Sequence, residues 1–397
     1  MKLDILYIAS GRSFFSNNAG RKITSIISCW RKMNHTVRLI CGGDFLKQQG
    51  VKQADKDSVM RFYRRRKNVF LRPIINSLSE HRDIVHDRIL KRELDKLVLV
   101  KRPTIIWERS SRLHAAGLDV AKEYGIPFVH EWKDNLIPYR FSLQRSRALK
   151  VEKRKEQEAD SIVVESKVLK DDLIAKGIDE RKIFVVHNAV EANKFTRDVK
   201  KGEAFRSRLS ISKNDVVIGY LGSYAFYHDT KRLVLAADII KAKGLGNIKI
   251  IMVGDGKEYA ETRALAEKKG LAGSLIYFLP PVPLQEVPSI LSGLDVAVLP
   301  GSTDIICPIK IQEYMAAELA TIAPDYKCNR EVITDGETGI LFEPKNEAAL
   351  AEKIMLLAKD ETYRMKLGKQ ARTEIFSKFT WEKTWGVALE LAIKSRI

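Results

Sequence analysis

Short apolar runs rich in Val, Ile and Leu alternate with helix-forming stretches along the whole chain. Runs this short, bounded by Gly, Pro and polar positions, read as strands buried on both faces. A strand that re-enters its sheet after a helix runs parallel to the strand before it. The pattern therefore predicts parallel sheets covered by helices on both faces. In the first part, strands are expected over Leu3–Ala9, Thr36–Cys41, Thr104–Trp107, Pro127–His130 and Ser161–Val164. In the second part they are expected over Val216–Leu221, Lys249–Val253, Leu275–Phe278, Val296–Leu299 and Ala320–Ala323. Two such series, separated near residues 184–212, imply an α/β chain of two doubly wound, Rossmann-like domains facing one another across a cleft. At 397 residues the chain also exceeds what one ordinary core supports. The expected boundaries are 1–184, 185–375 and a C-terminal helix over 376–397 that packs back on the first domain. In that tail Thr380 reads as an N-cap, with Trp381, Trp385, Leu389 and Ile393 on one stripe. The join from Lys194 to Arg208 is charged rather than Gly/Ser-rich, which suits closely coupled domains.

A composition of 45% hydrophobic and 30% charged residues is that of a soluble globular protein. No apolar run approaches the roughly 18 residues of a membrane helix, and the opening segment reads as a first strand rather than a signal peptide. Cys29, Cys41, Cys307 and Cys328 show no C-x-x-C spacing, so neither a zinc knuckle nor a redox pair is indicated and a cytoplasmic location is expected. The net charge of +19 is unevenly divided. Residues 1–150 carry 31 Lys/Arg against 14 Asp/Glu, a net +17. The excess peaks at Arg61, Arg64, Arg65, Arg66, Lys67 and Arg72, interleaved with Phe62, Tyr63, Phe70 and Leu71. Such a segment suits an anionic membrane surface, where each cation contributes about 1 kcal/mol, and a peripheral position at the inner face of the membrane is expected. A solvated loop is the plainer alternative, and nucleic acid would also attract the charge, although no reader motif accompanies it.

Three glycine- or proline-marked turns carry the candidate chemistry. Strand Val216–Leu221 runs into Gly222-Ser223, with His228, Lys231 and Arg232 near the next helix start; the following strand runs into Gly254-Asp-Gly256. After Asp295-Val-Ala-Val-Leu-Pro300 comes a loop, Gly301–Ile306, and then Pro308-Ile-Lys310-Ile-Gln-Glu313-Tyr-Met-Ala-Ala317. A helix opened by proline offers unpaired first-turn amides and the positive end of its dipole. Lys310 and Glu313, three apart, share one face there: a cation for a phosphate and a carboxylate for vicinal hydroxyls. Taken singly, each residue reads as surface. All three turns, however, lie at strand ends of one sheet, where doubly wound folds bind ligands.

Gly219-Tyr-Leu-Gly-Ser223, Val253-Gly-Asp-Gly256, Leu294–Pro300 and Pro308-x-Lys310-x-x-Glu313-Tyr-Met-Ala-Ala317 follow one another in an order that resembles the donor domain of retaining glycosyltransferases of family 4, which have the GT-B fold. Upstream, Ala159–Ser166, Val185-Val-His-Asn188 and Gly125-Ile-Pro127 followed by Glu131-Trp-Lys133-Asp134 resemble the same family, so the likeness covers nearly the whole chain. The resemblance implies a retaining transfer of sugar from a UDP- or GDP-sugar to an acceptor hydroxyl, and the +17 of the part where this fold places its acceptor points to a lipid-linked or cell-envelope glycan. The alternatives are a soluble enzyme acting on a small acidic acceptor and a non-catalytic nucleotide-sugar binder. By position, Glu313 would hold the ribose hydroxyls, Lys310 would lie near the diphosphate, and the amides of the Gly301–Ile306 loop would face phosphate or sugar. No metal and no cofactor are implied, since cations and helix termini stabilise the departing diphosphate. Where the family often has a first glutamate, this chain has Ile305, flanked by Asp304 and Ile306; Ser223 replaces an arginine, Glu318 a glycine, and Ala189 follows Asn188. On the acceptor side, Glu131, Lys133 and Asp134 are candidates to orient or deprotonate a hydroxyl, with a structural salt bridge as the other reading. Ser10, Gly11, Ala19 and Gly20 are expected in a loop over the cleft. His130, Trp107 and Trp132 are expected in the core.

Overall fold

The computed structural model describes residues 2–48, 72–133 and 142–394. The basic positions Arg61, Arg64, Arg65, Arg66 and Lys67, and the candidate Asp134, lie outside these residues.

The described chain forms two compact units, each built on a six-stranded parallel sheet, as expected from the alternation. The first unit comprises Met1–Glu165, Leu169–Val186 and Trp385–Ile397. Its strands are β1 (Asp4–Ala9), β2 (Thr36–Cys41), β3 (Ile105–Arg109), β4 (Phe128–Glu131), β5 (Ser161–Val164) and β6 (Ile183–Val185), in the order β2-β1-β3-β4-β5-β6. The strand order reverses between β1 and β3, so the residues that follow these two strands flank this sheet's switch point. The short β6 was not expected; a three-residue strand carries too little pattern to separate from a loop.

Within the first unit the tail is tied down by aromatic packing. The Trp30 indole N–H donates to the Trp385 carbonyl at 2.7 Å, and Trp107 packs edge-on to Trp30 at 4.8 Å. Trp385 and Leu389 are fully buried, two of the four stripe positions read from the sequence. Helices run over Glu361–Lys378 and Val387–Lys394, and a π-turn at Glu382–Gly386 stands where a helix start is expected. The Thr380 hydroxyl does accept from the Lys383 amide, at 3.4 Å.

The second unit comprises Ser166–Val168 and His187–Thr384. Its strands are β7 (Val216–Leu221), β8 (Ile248–Val253), β9 (Ile276–Leu279), β10 (Val296–Val298), β11 (Ala320–Pro324) and β12 (Ile340–Phe342). Their order, β12-β11-β10-β7-β8-β9, reverses between β7 and β10. That reversal opens a crevice beyond the carboxyl ends of the two strands, the position at which open α/β sheets bind ligands. Glu318, where the resembling family carries glycine, has φ 61°, just past the helix Ile309–Ala316. The glycine preference there is thus a helix-ending backbone requirement and not chemistry. No described helix is long and apolar enough to cross a membrane.

Candidate active site

The two loops at the switch point of the second sheet hold each other. Tyr314, in the helix Ile309–Ala316, reaches the end of β7: the Leu221 amide donates to its hydroxyl at 3.0 Å, and the hydroxyl donates to the Leu221 carbonyl at 3.0 Å. One residue further on, the Lys310 chain lies directly over Gly222, where a methyl group would overlap the Lys310 Cε. Gly254, at the end of β8, lies under Gly222 in turn, and a methyl group there would overlap the Gly222 carbonyl oxygen. Two glycines and a lysine are therefore stacked at contact distance, which explains why side chains are missing at these turns.

The loop from Gly301 to Pro308 is braced from behind. The Asn188 amide donates to the Cys307 carbonyl at 3.1 Å, and Gln312 donates to the Asn188 carbonyl at 2.6 Å. Ser166 Oγ donates to the Ile305 carbonyl, and Asn329 donates to Ser302 Oγ at 3.2 Å. Pro308 stands at the N-cap with no side-chain bond to the first turn, and its carbonyl accepts from the Ile311 amide at 3.1 Å. Lys310 and Glu313 sit on this helix as the spacing predicted, and Glu313 is 9% exposed. Burial lowers the Lys310 ammonium to about 8, with Glu313 opposing the shift.

Lys310 Nζ donates to His228 Nε2 at 2.6 Å. His228 Nδ1 faces the Gly301 carbonyl at 3.4 Å, so the Nδ1–H tautomer satisfies both contacts. Burial, and then Lys310 beside it, lower His228 to about 4, leaving the imidazole neutral at pH 7. The other cations of this segment turn elsewhere, against expectation. Lys231 pairs with Glu261 at 2.5 Å; Arg232 pairs with Asp229 at 3.0 Å and with Glu347. Both are occupied by carboxylates that fix the helix Thr230–Ala242. Ser223 is exposed, and its carbonyl accepts the Tyr220 hydroxyl at 2.6 Å. Asp304 is exposed, whereas Ile305 and Ile306 are half-buried.

In the first unit the candidates are redistributed. Glu131 ends β4 but is fully buried, accepting from the Tyr7 hydroxyl at 2.6 Å and from the Trp107 indole at 3.2 Å. Arg109 lies 3.7 Å away. Both bonds go to Oε2, while Oε1 makes no hydrogen bond, so these contacts match the structural reading of Glu131 on one oxygen. Lys133 lies 3.7 Å from Glu165. Ser10 is buried and donates to Glu108 at 2.6 Å, so it anchors the end of β1 rather than covering a cleft. Gly11 is half-buried against Phe14, Ala19 is buried, and Gly20, at φ 80°, leads into the helix Arg21–Lys32. His130, Trp107 and Trp132 are buried as expected.

Sequence reasoning missed Lys22 and Glu165. Lys22 Nζ stands 2.5 Å from Glu165 Oε1 and 4.5 Å above the Trp385 ring. Burial would raise the Glu165 carboxyl, but Lys22 and then Lys133 bring it down to about 2. Arg109, Glu131 and Glu165 end or follow the adjacent strands β3, β4 and β5, so their clustering could have been found by aligning predicted strand ends. Among the described residues, no group of three or more His, Cys, Asp or Glu is placed to hold a metal ion.

Comparison with known proteins agrees with this fold. The family model "Glycosyltransferase Family 4" matches residues 19–194, and "Glycosyl transferases group 1" matches residues 202–374. The capsular polysaccharide biosynthesis glycosyltransferase CapM of Staphylococcus aureus is 26% identical over 239 residues, 57% of this chain and 60% of that protein. The N,N'-diacetylbacillosaminyl-diphospho-undecaprenol alpha-1,3-N-acetylgalactosaminyltransferase of Campylobacter jejuni is 26% identical over 199 residues, 49% of this chain and 50% of that protein. The chain thus spans little more than half the length of these curated relatives. Among solved structures, Anabaena Alr3699/HepE in complex with UDP superimposes with a TM-score of 0.73 at 16% identity, over 99% of this chain and 100% of that one, a likeness of fold. With two family models tiling most of its length on two Rossmann-like sheets, the chain belongs to the family 4-type glycosyltransferases of the GT-B fold.

Proposed function

We propose that this protein transfers a glycosyl unit from a UDP- or GDP-sugar to a hydroxyl of a lipid-linked or cell-envelope glycan, with retention of anomeric configuration. One observation carries the reading: Lys310 and Glu313 share a helix face at the switch point of the second sheet, beside a turn stripped of side chains. In the reaction, the bond from the anomeric carbon to the diphosphate oxygen breaks. A bond to the acceptor oxygen forms on the same face, and the acceptor proton passes to the departing diphosphate oxygen. Lys310 and the loop amides take the charge that develops on the diphosphate, where fixed donors stabilise it more than water would. Glu313 accepts from the ribose hydroxyls. The names of two relatives, one for capsular polysaccharide and one for a diphospho-undecaprenol acceptor, support the choice of acceptor class.

Calorimetry against UDP, GDP and their sugars tests the donor half. At least one nucleoside diphosphate is expected to bind, and indifference to all of them would overturn the assignment. The Lys310 ammonium is charged only below its lowered pKa of about 8. Affinity is therefore expected to fall roughly tenfold as pH rises through that value, in line with the loss of one charged hydrogen bond. A pH-independent affinity between 7 and 9.5 would remove Lys310 from the phosphate site.

The acceptor half includes contact with an anionic membrane through the basic run of residues 61–72. Wild-type protein is expected to co-sediment with anionic vesicles and to lose that binding when Arg64–Lys67 are neutralised. Failure of the wild type to sediment would sink the membrane contact and leave the donor site standing.

A further inference from the structure

We propose that His228 is a positioning residue, holding the Lys310 ammonium over Gly222 so that its remaining N–H groups meet a donor diphosphate. The inference rests on the donor-site reading above and reassigns His228 from ligand to support.

Both ring nitrogens are already spent. Nε2 accepts from Lys310 at 2.6 Å, and Nδ1 faces the Gly301 carbonyl at 3.4 Å. A neutral imidazole so engaged has no donor left for a phosphate. Lys310, by contrast, has three N–H donors, of which His228 takes one. The pair spans 82 residues of sequence and joins the loop after β7 to the helix after β10, the two elements that flank the switch point.

The loop is shaped to aim His228 inward. A short turn, Phe226–His228, leaves Phe226 78% exposed while His228 is buried, and Asp229 closes the turn at φ 44°. Tyr227 and Tyr220 pack against the imidazole at 4.5 and 6.3 Å between ring centres, which restricts the rotation of the ring. Gly301 lets its loop close on this turn; a side chain there would meet Asp229 and the Tyr227 carbonyl. Lys231 and Arg232, the neighbouring cations, are held by Glu261, Asp229 and Glu347, so neither substitutes for the positioned lysine. A flexible lysine that must be ordered at the moment of binding costs affinity, and ordering it beforehand recovers that cost.

The test compares His228→Leu with His228→Gln, whose amide oxygen can take the place of Nε2. The probes are the nucleoside diphosphate that the wild type binds best and the matching nucleoside without phosphates. His228→Leu is expected to weaken diphosphate binding about tenfold and to leave the nucleoside within twofold. His228→Gln is expected to restore the diphosphate to within threefold. In a Lys310→Ala background, His228→Leu is expected to have no further effect, because the two act as one unit. A merely structural histidine would depress both probes together and would add in full to Lys310→Ala; either result overturns the inference. So does an unchanged diphosphate affinity in His228→Leu. If the wild type binds no nucleoside diphosphate, the functional reading falls and the inference falls with it.

Discussion

Glu313→Ala is expected to lower kcat/KM for the sugar donor roughly 100-fold while leaving the thermal unfolding midpoint within a few degrees of wild type. A hydrogen bond to a charged group contributes about 1.5–3 kcal/mol, and a carboxylate that accepts from two vicinal hydroxyls stands at the upper end of that range. Glu313 is 9% exposed, on a helix whose other inward residues, Ile311, Tyr314 and Met315, are buried independently of it. Lys310 loses its nearest carboxylate in the variant, so its ammonium should titrate lower still and the pH profile of donor binding should move to lower pH. Steady-state transfer or donor hydrolysis, with a thermal melt beside it, settles the matter. Retention of full activity by Glu313→Ala would remove the residue from the site.

The second large effect is expected at Gly254. Its φ is 134°, and a methyl group would overlap the Gly222 carbonyl oxygen, which is backbone and cannot rotate away. Gly254→Ala must therefore open the turn between β8 and β7. Strain of this kind, combined with an overlap in a packed turn, destabilises by about 3 kcal/mol. For a unit of this size that corresponds to a fall of roughly 6–12 °C in the unfolding midpoint. Because Gly222 lies beneath Lys310, nucleotide affinity should fall with stability. A variant that melts and binds like the wild type would show that the close approach of the two turns is not required. Gly256→Ala would be a weaker perturbation of the same kind, displaced toward Tyr224.

The alternation of apolar runs and helices was enough to read two parallel sheets, because each buried parallel strand announces itself locally by composition. The Lys310–Glu313 pair was legible for a similar reason. A three-residue separation on a helix is a local fact, and placing that helix after a strand needs no knowledge of distant chain. Strands β6 and β12 were missed, each with only three residues to carry a pattern. The choice among His228, Lys231 and Arg232 was equally illegible. Three basic residues within five positions look alike in sequence; Glu261, Asp229 and Glu347 take two of them, and a glycine carbonyl with the half-buried Lys310 takes the third.

The first unit shows the same division more sharply. The strand ends left Glu131 with two readings, a group that meets an acceptor hydroxyl or a structural salt bridge. The tertiary structure commits that carboxyl to Tyr7 and Trp107, and places the Lys22–Glu165 pair, from opposite ends of the unit's sequence, alongside it. A carboxylate's role depends on what desolvates it and what donates to it, and those partners lie as far as 124 residues away. By itself, then, the sequence determined the architecture and the placing of Lys310 and Glu313 on one helix, since both are written in short-range pattern. Which glycines must stay bare, and which partners each cation and each acid takes, were decided by tertiary packing, because each depends on groups brought together by folding.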